Sequence, residues 1–521
     1  MMAQKRDLKF WALYFTGISS IIGSGWLFAP FYTAQIAGPL SAVSWLIGGV
    51  IMLIIAMNFA EVATMFPVAG GLVQTVQLSF GAAPGFILGW ISWLSFVMIP
   101  AIETQAALQY SQYFFPHLVV VGSGGSQLTG LGYAWALVFL LVFFVCNSYG
   151  IRLVSKLNNV LAMWKIIIPL LTIIMLFITR LHWQNFHLAP QSLHQMTHTV
   201  LSGISLGGVV FSLVGFRSIV ELSGEARQPQ KTVPLALILT ILSCTLLYLL
   251  LQVAFIGALN PQDIAAGWAN LNFAHDSSPL LALVSTLGLI WLVGILYLDA
   301  VASPSGTGLI TSASTARIVY GMAEQGYLPV KLKRLNQYQV PILALGLNLL
   351  LAILFFLPFH GWQAMAEFLA TIAVVGYSFG PLCLYALRKQ QPHRARKFKL
   401  PLAGLLSFMG FFCSNLIIYW MGWADIKKLL VLMIVLLVSI LVMAVMKSWL
   451  RVALVQIIWL VVYIIGFGII ARLGSFGGSG VIGFGWDILS ICVFSLIVYG
   501  LAIQFRLSDR ESSERIAKLN I

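Results

Sequence analysis

Five ionisable residues stand inside long apolar stretches of this chain: Glu103, Lys165, Arg217, Glu221 and Asp299. At the centre of a membrane helix each such charge costs about 2.5–3.5 kcal/mol on insertion scales, which makes these side chains functional candidates. Two apolar stretches are also interrupted where a helix should run on. Ile21-Ile22-Gly23-Ser24-Gly25-Trp26 breaks the first, and Phe211-Ser212-Leu213-Val214-Gly215-Phe216 breaks another, five stretches later. A helix in lipid has no water to bond the backbone groups that a break frees. Small residues that let helices pack closely are the plainer reading of either break alone. Two breaks at matching places in two halves of a chain point instead to a ligand site built from exposed helix ends.

The chemistry of such ends is specific. The half-helix after Gly25 offers free N–H groups and a positive dipole end, which suits a carboxylate. Carbonyls around 211–215 suit an ammonium, and a ligand carrying both groups is an amino acid. Glu103 and Asp299 are each able to exchange a proton in an apolar setting, or to serve as structural partners of Lys165 or Arg217. Lys165 reads as a buried cation or as a side chain snorkelling to an interface. Arg217 can pair with Glu221 one turn on, with Glu103 or Asp299, or with the acidic side chain of a ligand. No nucleophile with its base and no metal cluster falls inside the stretches, so the residues argue against an enzyme.

The elements that must position these groups are membrane helices. Of 521 residues 60% are hydrophobic and 8% charged, against roughly a quarter charged in soluble proteins. Apolar runs give fourteen candidate spans, the first at 10–36 and the last at 487–505, which makes an all-α polytopic membrane protein. Of the 29 Lys and Arg, only Arg180, Lys427, Lys428 and Arg472 fall between spans on the outer side, with Lys165 and Arg217 inside spans. All others gather on one face, which places both termini in the cytoplasm. The basic N-terminal segment leads into a first span and not a removed signal. The net charge of +14 follows this loop pattern and forms no nucleic-acid stripe. Six basic residues between Arg388 and Lys399 suit anionic lipid. The five cysteines form no CxxC pair. His194 and His198 stand at i, i+4, a spacing open to metal or pH sensing, but a solvated loop is the simpler reading.

Four segments carry a family likeness. Gly23-Ser24-Gly25-Trp26-Leu27-Phe28 resembles the first-helix signature of the amino acid/polyamine/organocation permeases. Glu61-Val62-Ala63-Thr64-Met65-Phe66-Pro67-Val68-Ala69-Gly70-Gly71 resembles the segment after their second helix. Gly215-Phe216 through Gly224-Glu225-Ala226-Arg227-Gln228-Pro229 resembles their sixth-helix exit, and Thr315-Ala316-Arg317 through Tyr327-Leu328-Pro329 their eighth. More narrowly, Leu298-Asp299-Ala300, Ser303-Pro304-Ser305-Gly306, Tyr419-Trp420-Met421-Gly422-Trp423 and Gly474-Ser475-Phe476-Gly477-Gly478 resemble the aspartate:proton symporters of that family.

The resemblance implies a LeuT-like five-plus-five inverted repeat, with 10–180 and 199–386 as the repeats of a transport core spanning 1–386. A basic cytoplasmic loop (387–400), four peripheral helices (401–505) and a cytoplasmic tail (506–521) would follow. It implies that Ser24, Gly25 and Trp26, with Ile21 and Gly23, meet the substrate carboxylate. Phe211 becomes a gating aromatic beside amine-binding carbonyls, and Ser212, Val214, Gly215, Phe216 and Glu103 complete the substrate contacts. Lys165 would stand in for a sodium ion, bonding carbonyls near Gly23 and hydroxyls such as Ser303 or Ser305. Arg217 departs from the family pattern, in which a carboxylate often follows the Gly-Phe, and this unsettles any transfer of glutamate-based coupling. The expectation is an integral membrane transporter that takes up an acidic amino acid with protons, without sodium, metal or organic cofactor. An amino acid exchanger and a transporter-like nutrient receptor are the alternatives. If Lys165 belongs to the coupling scheme, Lys165→Ala abolishes the pH dependence of uptake; an unchanged pH profile removes it from that scheme.

Overall fold

The computed structural model describes residues 8–66, 71–122, 125–188, 190–273, 278–446 and 455–517. Residues 67–70 of the second family segment, and Lys5, Arg6, Lys447, Arg451 and Lys518 of the basic face, lie outside the described residues. The helices in chain order begin with α1 (Phe10–Ile21), α2 (Gly25–Ala37), α3 (Ser41–Met65), α4 (Gly71–Phe80) and α5 (Ala82–Ser111). A short antiparallel hairpin, β1 (Val119–Gly122) and β2 (Gly125–Leu128), precedes α6 (Gly130–Ser148) and α7 (Ile151–Thr179). Next come α8 (Leu193–Leu206), α9 (Val209–Leu213), α10 (Arg217–Glu221), α11 (Pro229–Ala258), α12 (Pro279–Thr286), α13 (Ile290–Glu324), α14 (Ile342–Leu354) and α15 (Gly361–Gln390). The last are α16 (Ala403–Trp420), α17 (Trp423–Met446), α18 (Ile458–Leu473), α19 (Trp486–Gln504) and α20 (Asp509–Ala517).

Local chemistry explains several boundaries. Ser192 caps α8 through a capping box with Gln195, Thr129 accepts the Gly132 N–H at the start of α6, and α11 and α12 each begin on proline. Gly208 takes φ 89° between α8 and α9, a left-handed value open to glycine. The chain there bends by 50° between Leu193–Leu206 and Val209–Glu221.

Among the described residues ten helical runs are long and apolar enough to cross a membrane, or eleven with the bent pair counted as one span. Phe10–Ile21, Ile342–Leu354 and Ile458–Leu473 are shorter apolar helices. Two packed groups surround the breaks. In one, α3 and α1 lie on α11, and Trp45 donates to Gln252, which in turn donates to the Pro30 carbonyl. In the other, α5 lies along α13 with α6 and α14 beside them, tied by Trp93 to Asn348 and Asn147 to the Leu309 carbonyl. Helix α15 contacts α5, α3 and α16 and is buried along nearly its whole length. Of the late helices, α16 packs on α3, α15 and α19.

The basic segment after α15 is only partly the lipid-facing anchor its composition suggests. Glu61, fully buried near the end of α3, accepts Arg388 Nε at 2.9 Å and Nη2 at 2.6 Å and the Leu400 N–H at 2.7 Å. Arg396 adds an ion pair to Glu61 at 3.4 Å, and Arg394 lies 4.4 Å over the Phe66 ring. Lys389, Lys397 and Lys399 stay exposed. The reason is that a buried carboxylate needs paired charge and hydrogen bonds. Removing one partner of such a group costs about 3–5 kcal/mol, so Glu61→Ala should lower the thermal unfolding midpoint of the detergent-solubilised protein clearly, whereas Lys397→Ala should leave it near wild type.

Candidate functional site

The break between α1 and α2 frees carbonyls at its first end and N–H groups at its second. The Ser24 N–H is bonded by Glu103 Oε2 of α5 at 2.8 Å. A carboxylate therefore lies on the positive end of α2, as helix-end electrostatics favours, but it is the protein's own. Glycine at position 23 permits this approach, since a Cβ there would lie 2.5 Å from Glu103 Oε1. The Ser24 hydroxyl accepts the indole N–H of Trp362, at the start of α15, at 2.7 Å. On the carbonyl side, Tyr248 of α11 donates to Ile21 O at 3.2 Å and Ser303 of α13 to Ile22 O at 3.4 Å.

The second break repeats the logic. Tyr377 of α15 donates to the Val214 carbonyl, and Ser218 to that of Gly215. Two of the carbonyls expected to face an amine are thus already bonded, although each oxygen has a second lone pair. The two breaks press on each other. A Cβ at Gly215 would run into the backbone of Ser20 and Ile21, and one at Gly25 into Ser212.

Lys165 of α7 is fully buried and donates to Ser19 O at 2.8 Å and to Thr307 Oγ1 at 2.6 Å. It bridges the first broken helix to α13, one turn away from Gly23 and Ser303 and two residues from Ser305. The cause is the antiparallel register of the two helices. Thr307 meets Ser19, Ser303 meets Ile22, and Asp299 lies beside Trp26. Ser305, off this face, is only half-buried. Asp299 is fully buried, and neither carboxyl oxygen has a hydrogen-bond partner. The indole N–H groups of Trp26 and Trp164 face it but stop short of bonding geometry.

A cavity opens against the breaks. Ile21, Glu103, Phe211, Val214 and Gly215 line it, together with Thr307. It extends along α13 past Thr311 to Ser314, toward the end that carries Arg317. On the opposite side an aromatic cluster closes the route: Trp362 stacks on Phe28 at 4.8 Å and on Tyr32 at 5.8 Å, and meets Phe211 edge-on at 5.1 Å. Arg217 is 1% exposed behind the wall formed by Phe96, Ser218 and Tyr377. It pairs with Glu221 at 3.1 Å, lies 4.9 Å over the Phe96 ring, and leaves Nη1 without a hydrogen bond.

The structure thus gathers Ile21, Glu103, Phe211, Val214 and Gly215 around one space, with Gly23 and Ser24 against the Glu103 carboxylate. Trp26 turns toward Asp299, Phe216 packs between Phe59 and Tyr377, and Ser212 backs Gly25. Thr307, Trp362, Tyr248 and Tyr377 were not picked out from the sequence. For Thr307 a signal existed: it continues Asp299 and Ser303 at i+8 on one helix face. His194 and His198 pack on Phe484 and Phe476, ring centroids 4.6 and 4.3 Å apart. Among the described residues no three His, Cys, Asp or Glu side chains gather as a metal site.

Residues 8–445 match the amino acid permease family model. The chain is 36% identical over 507 residues to the glutamate/serine transporter AimA of Bacillus subtilis, covering 96% of this chain and 94% of that one. It is 31% identical over 504 residues to the aspartate-proton symporter of the same organism, covering 95% of each. The amino-acid permease RocE, also of Bacillus subtilis, is 28% identical over 395 residues, 72% of this chain and 78% of its own.

The contact between the breaks is tested at a glycine. Gly215→Ala places a methyl group against backbone that cannot give way, which should destabilise the protein by about 1–3 kcal/mol and abolish uptake. Gly321→Ala, with nothing within 4 Å of the new methyl group, should leave both unaltered.

Proposed function

On the premise that the chain belongs to the amino acid permease family, as an integral membrane transporter and not an enzyme, we propose that it takes up an acidic amino acid together with protons, by alternating access. One observation carries the reading: the Glu103 carboxylate on the Ser24 N–H marks the open end of α2 as a carboxylate site inside a buried cavity. A substrate carboxylate takes that N–H by displacing Glu103. Its amine bonds the second lone pairs of carbonyls around 211–215, with Phe211 beside it. For an acidic side chain a cationic donor is Arg217 Nη1, buried without a hydrogen bond and reached past Phe96 and Tyr377. Two relatives whose names include glutamate and aspartate support the same substrate class.

Proton coupling rests on Lys165. Its ammonium ties Ser19 of the first broken helix to Thr307 of α13, where it supplies the positive charge a sodium ion would otherwise bring. The proton passes through the buried group of Lys165, Glu103 and Asp299. No further cofactor is required.

We read the chain as fourteen spans, with α1 and α2 as one broken helix, α8 to α10 as the other, and α14 and α18 as short spans. The first ten form a LeuT-like pair of inverted repeats and the last four stand outside it. Both termini and the end of α13 with Arg317 face the cytoplasm, so the cavity reaches inward while the Trp362 cluster closes the outer side. Alternation moves the helices packed on α11 against those packed on α5 and α13. Substrate and proton act by binding one arrangement more tightly than the other.

Purified protein in sodium-free liposomes tests this with radiolabelled aspartate, with and without an inward proton gradient. The expected result is accumulation driven by the gradient and competed by glutamate but not by leucine or arginine. Uptake that needs liposomes preloaded with amino acid makes the protein an exchanger and removes the proton from the scheme.

A further inference from the structure

Two buried carboxyl groups flank Lys165, and their surroundings are unlike. Glu103 has a partner for a negative charge, the Ser24 N–H at the positive end of a thirteen-residue helix. Asp299 is fully buried with both oxygens unbonded, and Lys165 gives its bonds to Ser19 and Thr307 instead. An ionised carboxylate that accepts nothing in a buried site is strongly disfavoured, whereas a neutral carboxyl there loses far less.

Resting on the proton-coupled reading above, we propose that Asp299, and not Glu103, takes the coupling proton, and that Trp26 passes its charge state to the first half-helix. The residues around Asp299 fit this division. Helix α7 brings the Lys165 ammonium and the uncharged Trp164 indole, α5 brings Tyr110, and α2 brings Trp26. Among the described residues the other helices packed on α13 add no titratable group that acts on it. Glu103 faces Lys165 from α5. The Nε1 atoms of Trp26 and Trp164 are themselves buried without partners. Asp299, Trp26 and Trp164 are thus three unmatched polar groups side by side: one acceptor if ionised, and two donors.

The neutral carboxyl describes this arrangement. When the proton leaves toward the cytoplasm, the carboxylate attracts both indole N–H groups. Trp26 directly follows Gly25, so its movement pulls on the first turn of α2, beside the Ser24 N–H that the substrate must win from Glu103. When a proton from outside returns to Asp299, the pull is released. One proton thereby crosses per cycle, entering and leaving at a single carboxyl oxygen, while Lys165 keeps its own and serves as the fixed neighbouring charge.

Infrared spectra of the purified protein at neutral pH distinguish the two carboxyls without transport. The C=O stretching band of a protonated carboxyl should vanish in Asp299→Asn and persist in Glu103→Gln. A band lost in Glu103→Gln overturns the assignment, and this arm decides even if Asp299→Asn does not fold. In liposomes, Asp299→Asn should lose gradient-driven aspartate accumulation by roughly tenfold or more relative to its own aspartate-for-aspartate exchange, and that exchange should no longer respond to pH. Gradient-driven accumulation at the wild-type ratio in Asp299→Asn overturns the proposal while leaving proton coupling intact. A wild-type protein that fails to accumulate with the gradient sinks the coupled reading and the assignment together.

Discussion

A backbone carbonyl in hydrocarbon has only the protein to bond, and this chain opens two of its helices where that constraint is most severe. The tyrosine hydroxyls of α11 and α15, the Ser303 and Thr307 hydroxyls of α13, and the Lys165 ammonium of α7 are all spent on carbonyls at or beside the breaks. These donors come from four helices far apart in the chain. The arrangement of the core can be understood as the set of helix positions that brings these donors to those oxygens at once.

The same constraint explains why the start of α2 is not left bare. An unmatched N–H at the start of α2 would be as costly as an unmatched carbonyl, and Glu103 covers it. On the function proposed above, ligand binding becomes the exchange of one carboxylate for another, with little net change in hydrogen bonding. Selectivity has to come from elsewhere, from what surrounds the rest of the ligand and from the charges behind the wall. The reciprocal contacts of Gly25 with Ser212 and of Gly215 with Ser20 couple the two breaks, so a shift at one is felt at the other.

Much of this was legible in the sequence, and for physical reasons. Glycines inside an apolar run, and charges there, violate the rules of a membrane helix so plainly that they mark themselves. Lys165, Glu103, Asp299 and both breaks were found that way, and they do lie together. What stayed hidden depends on register. Lys165 meets Thr307 and not Ser303 or Ser305 because of how α1 slides along α13, and nothing in one chain aligns two helices nearly three hundred residues apart. Trp362, Tyr248 and Tyr377 look like ordinary core aromatics until a carbonyl or a serine is seen in front of them. The basic stretch from the last turn of α15 onward misled for the opposite reason: its composition suits lipid, yet Glu61, far away in sequence, draws Arg388 and Arg396 inward, and Arg394 packs on Phe66.

The ladder between the first broken helix and α13 also bears on how such a chain is made. Chains emerge from the ribosome N-terminus first, and the loops that must close between Ser19 and Thr307, Ile22 and Ser303, and Trp26 and Asp299 are long. During synthesis the Ile22 carbonyl therefore has no Ser303 hydroxyl to bond until α13 arrives, whereas the donors to Ser19 and Ile21 on α7 and α11 are made before it. The early helices must be held in a provisional state meanwhile, sheltered by the insertion machinery or by water drawn into the bilayer. A chain stalled before α13 would present open backbone to lipid, a mark by which quality-control proteases could tell an unfinished permease from a finished one.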